Sequence, residues 1–166
     1  RPALHRGKAA DLLRPGGAGQ RGPAQELLAA AQARQWRNKA LSDTYEPGST
    51  FKIITLSMAL EEGSVSESDS FFCGGNVSVI GRTSPIRCWK SGGHGSQTLT
   101  QAVQHSCNVA FANIGIRLGG EKLYEYVHKF GLTEKTGIEL GGEASGIFFD
   151  EATLANPDSY ASLSSA

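Results

Sequence analysis

The sequence predicts a mixed chain of the α/β (α+β) class, and three observations predict it. Apolar residues recur at helical spacing in several segments between residues 49 and 130. Between two of these segments lies a Gly- and Ser-rich run with short apolar alternations, the mark of a small β excursion. Glycines stand at the expected element ends, and aromatic and β-branched residues begin only near Trp36. At 166 residues the chain has enough material for one core of ordinary size.

Residues 1–34 are dominated by Ala, Gly, Arg and Pro and contain no aromatic residue, with one short helical stretch near Glu26 to Ala33. Such a segment buries little, so residues 1–35 are read as poorly ordered or non-native, and residues 36–166 as the folded part. A shifted reading frame or chimeric joint upstream of Gln35 would explain the bias, and translating the source DNA in its other frames tests that. After Pro47-Gly48, apolar side chains at Phe51, Ile53, Ile54, Leu56, Met58, Ala59 and Leu60 surround a helix rather than stripe it, which predicts a buried helix ending at Gly63. The stretch FFCGGNVSVIGRTSPIRCWKSGGHGSQ supplies the β excursion and exposed loops. Thr98 with Gln101 fits a capping box, NVAFANIGIRLGG predicts a helix stopping at Gly119, and Leu123, Tyr126, Val127 and Phe130 stripe another that ends at Gly131. The remainder is expected to be loop and short strand, without an evident closing element.

Sixteen Lys and Arg balance sixteen Asp and Glu, so net charge offers no case for a nucleic-acid partner. The balance hides a split: residues 1–40 hold eight basic and two acidic side chains, and residues 41–166 eight and fourteen. No run approaches the roughly 20 apolar residues of a membrane-spanning helix. Three cysteines are too few for a disulfide scaffold, and their spacing is not that of a structural zinc site.

The chemistry-bearing stretch is YEPGSTFK, Tyr45 to Lys52. On a helix, Ser49 and Lys52 share a face, within reach of a hydrogen bond. A serine hydroxyl is a weak nucleophile until a base takes its proton, and a lysine whose ammonium form is disfavoured by burial can be that base. Lys52 is otherwise out of place in the first turn of an apolar helix, where positive charge also opposes the helix dipole. The spacing alone is weak, with roughly 0.7 chance S-x-x-K matches expected at this composition, so a helix-capping serine beside a solvated lysine stays open.

Context decides more. YEPGSTFK, and SCN at Ser106 to Asn108 after an interval of 57 residues, resemble the first two motifs of the penicillin-binding transpeptidases. RNKALSDTYEPGSTFK, GGHGSQTLTQAVQHSCNVAF and FGLTEKTGIELGGE are similar to the class B high-molecular-weight group, particularly its cell-division and stage V sporulation D types. The resemblance covers about Trp36 to the end. It implies a partial β-lactamase/transpeptidase-like fold, with helices packed on an antiparallel sheet whose closing strands are missing. It implies Ser49 as the acyl-accepting nucleophile, Lys52 as its general base, Ser106 as a proton relay and Asn108 as the holder of the substrate amide. The reaction would be acyl transfer from peptidoglycan stem peptides ending in D-Ala-D-Ala, with β-lactams as inhibitors and no cofactor. The parent would work at the extracytoplasmic face of the membrane, with other wall-synthesis proteins.

The family's third motif, Lys-[Thr/Ser]-Gly on an edge strand, is not assigned to Lys135-Thr136-Gly137. That triplet follows an amphipathic helix only 27 residues after Asn108 and resembles a connector upstream of the true strand. The chain is therefore expected to be a fragment bearing the nucleophile half of the site, inactive alone. Cys73 and Cys88 enclose 14 residues and form a candidate disulfide worth about 3 kcal/mol, against the alternative of two free thiols. Cys107 reads as a buried packing residue rather than a second nucleophile. His94 and His105 with Cys73 and Cys88 are too irregularly spaced to predict a zinc site, so no metal is expected. Trp89 either walls the substrate cleft or covers the β excursion. The other functions in view are a serine β-lactamase, a penicillin-sensing receptor domain and a non-catalytic module of a division or sporulation complex. Intact Ser49, Lys52, Ser106 and Asn108 argue against the last.

Overall fold

The computed structural model describes residues 22–165. The chain divides into two units, one up to Lys39 and one from Ala40 onward. In the first, α1 (Pro23–Trp36) starts with proline in its first turn, where the missing N–H costs nothing. It runs beyond the Glu26–Ala33 stretch expected from sequence and buries none of its residues. The rest of the segment read as poorly ordered, residues 1–21, lies outside the described residues.

The second unit begins within α2 (Lys39–Ser42), whose Leu41 carbonyl accepts from the N–H of Ala144 at 2.7 Å. A 3-10 turn over Gly48–Thr50 then leads into α3 (Phe51–Glu61). Gly48 has φ +56, a left-handed value that suits glycine at the turn before Ser49. α3 is one-sided rather than buried all round: Phe51, Lys52, Thr55, Met58 and Ala59 are buried, whereas Ile53 is 68% exposed. The expected stop at Gly63 is present, at φ +63.

The β excursion consists of two antiparallel pairs. β1 (Ser70–Cys73) pairs with β4 (Gly95–Thr98), and β2 (Asn76–Val77) with β3 (Ile86–Arg87). Cys73 is opposite Gly95 in the first ladder. Just beyond β1 the backbone packs against the loop before β4: a Cβ on Gly93 would lie 2.1 Å from the Cys73 carbonyl oxygen. Only glycine permits that approach, and it draws Cys73 beside residues 91–94.

Thr98 caps α4 (Leu99–Gln104) in the predicted capping box, accepting from the N–H of Gln101 at 3.2 Å. α5 (Asn108–Leu118) is the centre of the unit, with Val109, Ala110, Phe111, Ala112, Ile114, Gly115 and Leu118 buried. One apolar cluster joins α5 to Ala59, Phe71, Cys73, Cys88 and Leu99; a second joins Phe51, Met58 and Leu118 to Leu123 and Val127 of α6 (Gly120–Lys129). The C-terminal part differs from the expected loop and short strand. It forms α7 (Glu151–Leu154), capped by the Asp150 carboxylate, and α8 (Pro157–Ser165), which packs on α5. Small residues hid α8 from a periodicity search: its buried positions are Ala161, Ser164 and Ser165. They allow contact so close that a Cβ on Gly115 would lie 2.3 Å from Ser164 Oγ.

Candidate active site

Two elements carry the candidate residues. Ser49 lies in the exposed 3-10 turn that opens α3, and Lys52 one turn on, facing inward at 4% exposure. The SCN triplet is the junction between α4 and α5, with Cys107 at the N-cap of α5 and Asn108 its first residue. To make that junction Ser106 takes φ +46, the left-handed region, and is the only non-glycine residue to do so among the described residues. Such a conformation costs on the order of 1–3 kcal/mol and survives where surrounding contacts fix it.

Those contacts converge on one amine. Lys52 Nζ lies 2.9 Å from Ser49 Oγ, 3.2 Å from Ser106 Oγ, 3.3 Å from the Ser106 carbonyl oxygen and 2.7 Å from Asn108 Oδ1. Asn108 is oriented in turn by donating Nδ2–H to the Arg87 carbonyl at 3.0 Å. Burial holds the Lys52 amine below its ordinary value, while the Cys107 and Cys88 sulfurs oppose the shift. An ammonium has three N–H donors and faces four oxygens; a neutral amine can instead accept a proton from one of the two hydroxyls. The geometry suits a base between two serines. Ser49 does not cap α3, since its Oγ is turned to the amine; Thr50 Oγ1 instead donates to the Pro47 carbonyl.

A second cluster lies directly behind SCN. Cys73 and Cys88, the candidate disulfide, are free and buried, as is Cys107. Cys88 Sγ lies 3.9 Å from Cys107 Sγ and 3.5 Å from His94 Nδ1. The Cys73 and Cys88 sulfurs lie with the Cys107 sulfur and a His94 ring nitrogen, the four ligand-type atoms falling within 4.8 Å of one another. Burial raises the Cys107 thiol to about 11; at Cys88 burial also acts upward, but the backbone of Lys90 and Asn108 and the side chains of Cys73 and Cys107 together hold it below its ordinary value. His105 stacks on the His94 ring at 4.8 Å but turns Nδ1 to Gln97 Oε1 at 3.0 Å. Trp89 closes the outer side, 5.2 Å from the His94 ring, with Nε1–H donated to the His105 carbonyl.

Sequence reasoning missed Cys107 as part of this cluster and Arg87 as the support of Asn108. A doubled glycine on each side of the excursion, Gly74-Gly75 and Gly92-Gly93, was the available signal. Lys135-Thr136-Gly137 lies in irregular backbone rather than on a strand, with Thr136 held by Glu143 through its N–H at 2.7 Å and its hydroxyl at 2.6 Å.

Comparison with known proteins points to one family. The family model described as penicillin binding protein transpeptidase domain matches residues 18–164, reaching into the segment that composition sets apart. Stage V sporulation protein D of Bacillus subtilis is 54% identical over 114 residues, which are 68% of this chain and 17% of that protein. Peptidoglycan D,D-transpeptidase PbpA of Mycobacterium tuberculosis is 32% identical over 123 residues, 70% of this chain and 25% of its own length. The chain thus spans a quarter or less of these two relatives. Among solved structures, the D,D-transpeptidase domain of a peptidoglycan glycosyltransferase from Eggerthella lenta superposes with a TM-score of 0.72 at 26% identity, covering 84% of this chain and 34% of that one. With the two serines, the lysine and the asparagine converging as they do, the chain belongs to the penicillin-binding protein transpeptidase family.

Proposed function

We propose that this chain carries the nucleophile side of a serine D,D-transpeptidase site for peptidoglycan crosslinking, with Ser49 as the acylated residue. The observation that supports it most is the single amine, Lys52 Nζ, held between Ser49 Oγ and Ser106 Oγ. Ser49 Oγ attacks the carbonyl carbon of the D-Ala-D-Ala amide while the Lys52 amine takes its proton. The Ser49 N–H, at the start of the 3-10 turn, is one donor to the oxyanion. Collapse breaks the C–N bond, and the departing D-Ala amine receives a proton relayed from Lys52 through Ser106. The amine of a neighbouring stem peptide then attacks the ester, and its proton returns through Lys52 to Ser49 as the new amide forms. Asn108 orients the donor peptide's amide. A β-lactam enters by the same first step and stays as the ester.

Relatives named as peptidoglycan D,D-transpeptidases favour this over a β-lactamase or a penicillin sensor. Work on the extracytoplasmic side of the membrane follows from such a substrate. A solved complex of penicillin-binding protein PBP2 with MreC from Helicobacter pylori, 28% identical with a TM-score of 0.63, supports a wall-synthesis partner for the parent protein.

No strand among the described residues carries Lys-[Thr/Ser]-Gly, the arm that would bind the substrate carboxylate. Fluorescent penicillin is therefore expected to label the 166-residue chain weakly and a longer form bearing that strand strongly, at Ser49. Labelling of the longer form that survives Ser49→Ala would overturn the nucleophile assignment. Strong labelling of the 166-residue chain that is lost in Ser49→Ala would overturn only the need for the strand.

A further inference from the structure

The chamber behind SCN holds three thiols and an imidazole for which the acyl-transfer chemistry has no use. We propose that Cys73, Cys88, His94 and Cys107 bind one Zn²⁺ as a Cys₃His structural site that anchors the turn carrying Ser106 and Asn108.

The geometry is that of a tetrahedral set. Sulfurs about 2.3 Å and an imidazole nitrogen about 2.0–2.1 Å from zinc stand roughly 3.8 Å apart for two sulfurs and roughly 3.6 Å apart for sulfur and nitrogen. Cys88 Sγ to Cys107 Sγ is 3.9 Å and Cys88 Sγ to His94 Nδ1 is 3.5 Å, with Cys73 in the same 4.8 Å cluster. A disulfide needs its sulfurs at about 2.05 Å and would occupy two of the three, leaving the third thiol and the imidazole without a role. Soft thiolates with one imidazole in a closed, four-coordinate chamber select zinc over the hard cations, and the absence of an open position marks a structural site.

The four ligands come from separate places: the end of β1, the loop after β3, the loop before β4 and the N-cap of α5. Metal binding would tie these pieces together. Each thiol gives its proton to solvent as its sulfur coordinates, and Cys107, fixed between Ser106 and Asn108, holds Ser106 in its left-handed conformation.

The full chain, reduced and incubated with Zn²⁺, is expected to retain about one zinc per molecule after desalting, measured by mass spectrometry of the metal. Co²⁺ in its place is expected to give tetrahedral thiolate–cobalt absorption that Zn²⁺ displaces. Cys88→Ser and Cys107→Ser should each weaken retention at least about tenfold, and His105→Ala, whose ring nitrogen is committed to Gln97, should leave it unchanged. Should a cysteine variant fail to fold, alkylation of the unaltered chain gives the answer, since Zn²⁺ is expected to protect all three thiols together. Far less than one zinc per chain, with the three thiols alkylated equally fast with and without Zn²⁺, overturns the proposal. So does octahedral cobalt absorption without a thiolate band. The test reads metal and thiols only, so the acyl-transfer reading can fail while this one stands.

Discussion

Lys52 is the residue on which the site turns. It is almost wholly buried, it meets four oxygens, and burial disfavours its ammonium form. The direction sets an expected pH profile. If the neutral amine is the base as proposed, Ser49 acylation in a form bearing the third motif should rise with pH, with a midpoint below that of a free lysine near 10.5. A midpoint at or above that value in the labelling rate would show that burial does not tune the base. Lys52→Arg keeps a positive charge that cannot be removed, and is expected to slow acylation by about 10²–10⁴-fold. The same lowered value has a stability consequence. An unfolded chain binds the lysine proton more readily than the folded one, so this group's contribution to stability increases as pH rises from the folded value toward the unfolded one and is lost as pH falls through it. Ser106 is legible in sequence only as a motif member. Its left-handed backbone, and the reason it faces Lys52, depend on the α4–α5 junction.

Among elements, α3 and α5 bring the chemistry together, and their existence was legible from apolar spacing and glycine stops. The side of α3 that is buried was not: Phe51 through Leu60 are apolar nearly all round, and only packing against α5 and α6 leaves Ile53 outside. Nor was α8 legible, because helices whose buried faces are Ala and Ser carry little periodic signal. Its contact with α5 is a close one through Gly115. Gly115→Ala places a methyl against Ser164 and is expected to destabilise the chain by about 1–3 kcal/mol in urea unfolding, with Gly115→Leu worse. If Gly115→Ala unfolds at the unaltered midpoint, α8 does not pack as described. The pairing of β1 with β4 was equally hidden, since the two strands are joined through more than twenty residues of Gly- and Ser-rich loop and a second hairpin.

At the scale of the unit from Ala40 onward, α5 is enclosed by α3, α6, α8 and the strand pairs, and every candidate residue hangs on that enclosure. Phe111 is 1% exposed at its centre, beneath Lys52, with the amine 5.8 Å from the ring. Phe111→Ala is expected to cost about 3–5 kcal/mol, a large share of the stability of a domain this size, and to abolish any labelling of Ser49 through loss of the fold. Removal of residues 156–166 exposes Ala112 and Gly115 and should turn a cooperative thermal transition into a broad one, read by circular dichroism. A sharp transition at the unaltered temperature would mean that α8 contributes nothing to the core.

The sequence by itself determined local features: the glycine stops of α3, α5 and α6, the capping box at Thr98, the Ser49–Lys52 spacing and the SCN triplet that resembles a transpeptidase motif. These depend on neighbours within a turn or two, which a chain records directly. Only the tertiary structure decided that Ser106 and Asn108 meet Lys52, and that Cys73, Cys88, Cys107 and His94 come together behind the site. Those meetings close loops of tens of residues. Their geometry is set by the packing of α3 on α5 and by the glycine contact at Gly93, neither of which leaves a periodic trace in the sequence.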